Sequence, residues 1–388
     1  MTTPRSSSSP GFRRILVRGV NWLGDAVMTT PALQRLREAL PEAHITLLTH
    51  QKLADLWQHH PSLNSVITFS ARENPWSVAR RVREGKFQAA LVLPNSPRAA
   101  LEVWLARVPR RIGYARRWRN WLLTQPVALR PGQLRMPKRS VSAIHRMIRH
   151  SAASPLPATG SAPHRLAHQI YDYLHLAAAL GANPEPLPPR LEITPAEMRQ
   201  ADDALLSEWR GKMQNTAPGK PLILLGLNPG AEYGPAKRWP AESFATVARE
   251  VSRKIGNCLW LAFGGLGDWE LCSDIARLAG GGVLNLAGKT SLRELLALLK
   301  LCRVVLTNDS GPMHAAAALG TPVVVPFGST SPELTGPGLP GDPRHQLLKS
   351  AAPCSPCFRR TCPIDFRCMT GIGPERVAEA VCRVIAPG

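Results

Sequence analysis

The run Thr307-Asn308-Asp309-Ser310-Gly311-Pro312-Met313-His314, followed by four alanines, Leu319 and Gly320, has the residue types of an anion-binding turn. Residues 303–306 read as a short apolar strand. Asp309 or Ser310 can cap the helix that follows, Pro312 suits its first position, and Gly320 ends it. Such a helix start points backbone N–H groups past the carboxyl end of the strand, where phosphate is the favoured ligand. The same residues also suit an ordinary βαβ connection in which Asp, Ser and Gly only cap. A second loop, residues 227–240 (L-N-P-G-A-E-Y-G-P-A-K-R-W-P), combines small residues with Lys237 and Arg238 ahead of a helix near Pro240. It could hold a diphosphate by Coulomb attraction and direct hydrogen bonds, or be a surface turn with solvated cations. In residues 19–25 (G-V-N-W-L-G-D), Asp25 stands just inside a helix start. Desolvated in a cleft, its carboxylate could take a proton from an attacking hydroxyl; otherwise it only caps the helix or complements its dipole.

Two more loops follow strands. Residues 263–268 (F-G-G-L-G-D) are glycine-rich, but the G-G-x-G order and the missing acidic residue beyond the next strand argue against NAD. Residues 287–291 (A-G-K-T-S) lack the preceding glycine of a P-loop and read as a helix start capped by Thr290 or Ser291.

The elements that must position these loops alternate. Strands are expected at residues 14–18, 43–49, 65–69 and 89–93, with helices at 25–40, 53–59 and 76–85; Pro31 kinks the first helix or restarts it behind Thr30. A helix at 169–180 closes this half and the Pro-rich residues 181–189 form a linker. A second series has strands at 222–227, 258–263, 283–286 and 303–306 and helices at 241–255, 269–278 and 291–300. Strand–helix alternation implies parallel sheets covered on both faces, and two such halves make a cleft suited to a substrate. A tail over residues 1–12, a first domain over 13–188 and a second over 189–388 are expected, with residues 131–163 as a mobile loop.

The chain has 388 residues, 44% of them hydrophobic, with no run long enough to span a membrane, and its Ser-rich N-terminal segment has no apolar stretch of a signal peptide. A cytoplasmic location is therefore expected. The formal charge is +21. From Arg98 to Arg149 thirteen arginines and lysines face the single acid Glu102, with Trp104, Trp118 and Trp121 among them. Nucleic acid, an anionic bilayer or a phosphorylated substrate would each answer such a block.

The motifs G-V-N-W-L-G-D-A-V-M-T-T-P-A-L, L-P-N-S-P-R at 93–98, N-P-G-A-x-Y-G-P-A-K-R-W-P from Asn228 and T-N-D-S-G-P-M-H-A-A-A-A-L-G from Thr307 together resemble the ADP-heptose:lipopolysaccharide heptosyltransferases of glycosyltransferase family 9, in the manner of the heptosyltransferase II type. The resemblance covers nearly the whole chain. It implies an α/β GT-B fold of two Rossmann-like doubly wound domains facing across a cleft, the first holding the acceptor and the second the nucleotide sugar. It implies inverting transfer of heptose from ADP-heptose to the inner-core heptose of lipopolysaccharide, with no metal and no cofactor beyond the donor itself. By its motifs Asp25 is the catalytic base, Lys237 contacts the diphosphate, and Asp309, Ser310, Gly311 and His314 surround phosphates and ribose. Asp268 and Thr290 occupy places that contact adenosine in relatives. Arg98, Arg116, Arg117 and Arg119 are candidate clamps for a lipid-linked, phosphorylated acceptor. The expected partners are ADP-heptose, that acceptor and the anionic inner face of the cytoplasmic membrane, to which a monomeric enzyme attaches peripherally, with no nucleic acid. Another GT-B enzyme with a different nucleotide sugar, or a basic nucleic-acid-binding protein, are the competing classes.

Cys354, Cys357, Cys362 and Cys368 form C-x2-C-x4-C-x5-C. The first pair fits a metal knuckle, but the other gaps are short for structural zinc, and reduced thiols are the expectation.

Overall fold

The computed structural model describes residues 11–131, 133, 137–153, 165–210 and 222–386. The tail through residue 10 and, of the expected loop, residues 132, 134–136 and 154–163 lie outside the described residues. The chain divides into two compact units, one running to Gln133 and resuming over Gln169–Glu192, the other made of Leu134–His168 and Ile193–Gly388.

In the first unit, strands β1 (Arg14–Arg18), β2 (His44–His50), β3 (Ser65–Phe69), β4 (Ala89–Val92), β5 (Arg110–Tyr114) and β6 (Gln125–Val127) form one sheet in the order β3-β2-β1-β4-β5-β6. Every pairing in it is parallel. Ile15, Leu16, Val17, Leu47, Leu48, Ala90 and Val92 are all fully buried. A strand covered on both faces needs such an apolar run rather than alternation, which is why these segments read as strands without a period of two. The second unit repeats the plan with β7 (Ile223–Asn228), β8 (Cys258–Ala262), β9 (Val283–Asn285), β10 (Val305–Thr307), β11 (Val323–Phe327) and β12 (Gln346–Lys349), ordered β12-β11-β10-β7-β8-β9 and again all parallel. Counted from its own first strand, this is the same order as in the first unit. Both units are thus doubly wound, as the GT-B fold requires.

Capping explains several helix starts. Asn74 accepts from Trp76 N (2.9 Å) at helix Pro75–Glu84, and Ser96 accepts from Ala99 N (3.3 Å) at helix Pro97–Leu105. Ser291, rather than Thr290, caps Leu292–Leu301 in a reciprocal pair with Glu294. The helix after β1 breaks into Leu23–Met28 and Thr30–Ala39, so Pro31 restarts the chain rather than kinking it.

Helix Val141–Ala153 lies inside the segment read as a mobile loop. Ile144 and Ile148, spaced i, i+4, pack with Cys354 and Cys357, and Arg139 N donates to Cys357 O (3.0 Å) while Arg359 Nη1 donates to Arg139 O (3.0 Å). This segment, assigned from sequence to the first domain, therefore belongs to the second unit. Its flanking Pro, Ser and Arg residues masked a short amphipathic stripe.

Among the described residues four histidines are buried: His60 in the first unit and His168, His314 and His345 in the second. Burial disfavours their charged form and lowers each to about 4. The unfolded chain binds protons at these positions below about pH 6.5 and the folded chain does not until about pH 4, so stability rises with pH across that window. Urea unfolding at pH 5 should show a loss of order 1 kcal/mol per buried histidine relative to pH 7.5, and equal midpoints at the two pH values would contradict this.

Candidate functional site

In each sheet the strand order reverses once, between β1 and β4 and between β7 and β10. The connections leaving such a pair depart to opposite faces, so a crevice opens beyond their carboxyl ends. Three of the loops singled out from sequence leave these strands, residues 19–25 after β1, 227–240 after β7 and 307–314 after β10, whereas 263–268 and 287–291 follow β8 and β9.

In the first unit the direction of the loop after β1 is set by Arg18, which is 1% exposed. Its Nε meets Glu102 Oε2 (2.8 Å), its Nη1 donates to Gly19 O (2.5 Å) and Asn21 Oδ1 (3.3 Å), and its guanidinium lies 4.2 Å from the Phe69 ring centre. Fully buried Glu102 accepts from Arg98 Nε (2.9 Å) with its other oxygen. A buried carboxylate between two guanidiniums is satisfied, whereas removing either side would leave a charge uncompensated. The loop delivers half-buried Asp25 to the first turn of helix Leu23–Met28, where Trp22 occupies the N-cap position and no side chain caps the helix. Asp25 Oδ1 accepts from Gln169 Nε2 (3.4 Å), and the same amide donates to the Tyr173 hydroxyl (2.7 Å). Burial, reinforced by the nearby Asp25 charge, holds that hydroxyl well above the usual tyrosine range and so neutral.

Two expected acceptor clamps are otherwise engaged. Arg98 donates to Ala71 O (2.7 Å) and Glu73 O (2.6 Å) besides Glu102. Arg119 is fully buried, donates to Tyr114 O (3.1 Å) and to Pro94 O, and is lowered to about 10 by burial. Both guanidiniums fasten loops by their carbonyls, while the Arg98 side chain stays 34% exposed and Arg119 Nη2 has no hydrogen-bond partner among the described residues. Arg116 is half-buried and Arg117 exposed.

In the second unit the ends of β7 and β10 are laced together. Asn308 Nδ2 donates to Pro229 O (2.7 Å), Trp239 N donates to Asn308 Oδ1 (3.1 Å), and Asn228 Nδ2 donates to Ser310 Oγ (3.1 Å). Trp239 anchors the far end of this loop in the core, donating from Nε1 to Ile372 O (3.1 Å). Between these ties Lys237 Nζ pairs with Asp309 Oδ2 (2.7 Å), the two side chains 14% and 4% exposed. Thr330 Oγ1 donates to the same oxygen (2.5 Å), and the ammonium lies 4.8 Å from the Tyr233 ring centre. Asp309 is therefore not a helix cap: Ser310 takes that position, without a side-chain bond, for helix Gly311–Ala318. His314, one turn on, is neutral at physiological pH because of its burial. An ammonium has three donors and Asp309 accepts from one, so a phosphate oxygen can share the cation while the backbone N–H groups at Gly311 face the same loop end.

Asp268 binds its own turn, accepting from Gly265 N (3.1 Å), and lies 3.5 Å from Arg238 Nη2. A Cβ on Gly230 would fall 2.7 Å from its Oδ2, so a side chain there would displace the Asp268 carboxylate. Thr290 is half-buried beside the Ser291 cap. The cysteine loop braces the Lys237 loop: Tyr233 Oη donates to Phe358 O (2.9 Å), Ala236 N donates to Arg360 O (3.0 Å), and Gly234, at φ +150°, sits where a Cβ would lie 2.5 Å from Arg360 O. Burial raises Cys354 and pushes Cys368 up to about 12, and all four cysteines are free thiols. Among the described residues no group of three or more His, Cys, Asp or Glu side chains is arranged to hold a metal ion. Gln169 and Thr330 went unassigned in the sequence because each stands apart from the motif it supports, and Tyr233, inside the Lys237 motif, drew no role of its own; the polar G-S-T-S stretch after β11 was the only signal for Thr330.

Glycosyltransferase family 9 (heptosyltransferase) matches residues 149–366. The chain is 30% identical over 337 residues to lipopolysaccharide heptosyltransferase 2 of Salmonella typhimurium, covering 84% of this chain and 85% of that protein. The solved structure of E. coli ADP-heptose LPS heptosyltransferase II superposes with a TM-score of 0.71 at 25% identity, over 96% of this chain and 98% of that one. A family 9 glycosyl transferase from Veillonella parvula superposes with a TM-score of 0.73 at 24% identity, over 96% and 97%.

Asp309→Asn should leave the Lys237 ammonium without its carboxylate and lower thermal stability by about 1–3 kcal/mol, while Thr330→Val should cost about 1 kcal/mol. Calorimetric melting points of the two variants check the order, and an Asp309→Asn variant as stable as the parent would show that the ion pair contributes nothing.

Proposed function

Because the chain belongs to glycosyltransferase family 9, a family whose profile covers more than half its length, we propose that it transfers heptose from ADP-heptose to the inner-core heptose of lipopolysaccharide with inversion at the anomeric carbon. The observation that carries this reading is the Lys237–Asp309 pair at the carboxyl ends of β7 and β10, a partly exposed cation beside a helix start at a switch point. That combination is suited to a leaving diphosphate.

The chemistry is a single displacement. The acceptor hydroxyl oxygen forms a bond to C1 of the donor heptose as the bond from C1 to the phosphate oxygen breaks. ADP leaves with that electron pair, and the hydroxyl proton passes to a carboxylate oxygen of Asp25. Gln169 donates to Asp25 Oδ1 and so helps to orient the carboxylate that takes the proton. Lys237 and the N–H groups at Ser310 and Gly311 meet the charge that grows on the departing phosphate, an interaction stronger in the transition state than in the bound substrate. Neutral His314 and Asp309 keep that seat in shape, with Asp268 and Thr290 toward the nucleoside. Arg98, Arg116, Arg117 and Arg119 are the candidates to meet acceptor phosphates, Arg98 and Arg119 also holding backbone carbonyls. No cofactor takes part beyond the donor. No helix among the described residues is long and apolar enough to cross a membrane, and a monomer attached peripherally to the anionic inner face of the cytoplasmic membrane meets a lipid-linked acceptor there.

Asp25→Asn should leave ADP-heptose affinity nearly unchanged while transfer to a deacylated inner-core acceptor falls about two to four orders of magnitude; undiminished turnover would remove Asp25 from its role. Lys237→Ala should weaken donor binding as well as rate, as calorimetric titration with ADP-heptose would show, whereas unaltered donor affinity would make it a surface residue. Assays with ADP- and UDP-sugars in parallel identify the donor, and transfer from a UDP-sugar alone would refute the heptose reading.

A further inference from the structure

The first unit carries an aromatic surface that its fold does not use. Trp118 is 81% exposed, Trp121 66% and Trp104 40%. Trp104 ends helix Pro97–Leu105 and Trp121 sits on the short turn Asn120–Leu122; their rings meet edge to face, 5.8 Å apart at 72°. Large indoles left in water in this way mark a surface that meets an apolar partner.

Exposed cations surround it. Arg107 and Arg117 are exposed, and Arg83, likewise exposed, donates to Leu105 O (2.6 Å) and so stands at the same helix end as Trp104. From residue 97 to 131 the sole acid is Glu102, and it is buried between Arg18 and Arg98. The surface of this segment therefore presents positive charge without an exposed carboxylate of its own.

We propose that Trp104, Trp118 and Trp121, flanked by Arg83, Arg107 and Arg117, form the face by which the first unit docks on a bilayer rich in anionic phospholipid. Indole belongs at the headgroup level, its ring in the acyl boundary and its N–H toward water, while guanidiniums pair with lipid phosphates. Nucleic acid would satisfy the cations too and could stack on an exposed ring, so duplex and vesicle binding are separated in the test. The inference rests on the reading that the acceptor is held in lipid, and it adds the face that approaches that lipid.

The test is co-sedimentation of the full chain with vesicles of phosphatidylcholine alone and of phosphatidylcholine mixed with phosphatidylglycerol, at low salt. The parent should sediment with the anionic vesicles only, with a blue shift of tryptophan emission. The Trp118→Ala/Trp121→Ala double variant should bind about tenfold more weakly, and Arg107→Glu about fivefold or more, both with unchanged melting temperature because the sites are exposed. Equal sedimentation of parent and variants would overturn the proposal. So would binding to duplex DNA at physiological salt without vesicle binding, or a dimer of the parent that the tryptophan variant dissociates. Transfer to a deacylated acceptor in solution should be the same for parent and variants, and transfer to acylated acceptor in vesicles should fall for the variants. A parent inactive on the soluble acceptor would strike the transferase reading while leaving the vesicle result standing.

Discussion

A parallel sheet can reverse its strand order only by sending neighbouring connections to opposite faces, and this constraint governs everything chemical in the chain. Backbone groups at a carboxyl strand end lose their ladder partners there, and the loops that satisfy them diverge. Both sheets obey it with the same order, so each unit has one crevice where side chains from two loops are forced together. Asp25 and the Lys237–Asp309 pair stand at the ends of β1, β7 and β10 for this reason.

The two crevices are held by different means. In the first, a buried Arg18–Glu102 pair, joined by the partly exposed Arg98, fixes the loop and spends its charges on that task. Desolvation makes such a network costly to break and poor at meeting a ligand. In the second, neutral amides do the lacing: Asn228 and Asn308 bind across β7 and β10, while Lys237, paired with buried Asp309, remains partly exposed. Amide scaffolding beside a cation is the cheaper arrangement where a ligand's charge has to be accommodated, because the cation need not be rebuilt from a buried state.

Much of this was legible in the residues. The β1 and β7 segments announced themselves as apolar runs, and helix Ala241–Ile255 begins and ends where its periodicity does. The loop motifs pointed to Asp25, Lys237 and Asp309 because the residue types are particular and their place after strands is fixed. What stayed hidden was where long-range partners decide. Strand Arg110–Tyr114 opens with two arginines, so its apolar character is confined to the part that is buried. For Arg98 and Arg119 the sequence shows a cation but not the backbone carbonyls that accept its hydrogen bonds. The partnership of Asp309 with Thr330 links positions 21 apart through the fold alone.

The excursion of residues 134–168 into the second unit means that the chain is not two beads on a string. It passes from one unit to the other three times, and the later unit owns a helix encoded before the earlier one is finished. During synthesis the first sheet can complete its β1 to β6 pairings from contiguous chain, while Val141–Ala153 must wait for Cys354 and Cys357, more than two hundred residues downstream, before Ile144 has anything to pack on. A gene cut at the apparent linker would hand that apolar stripe to the wrong half and leave the thiols opposite it uncovered.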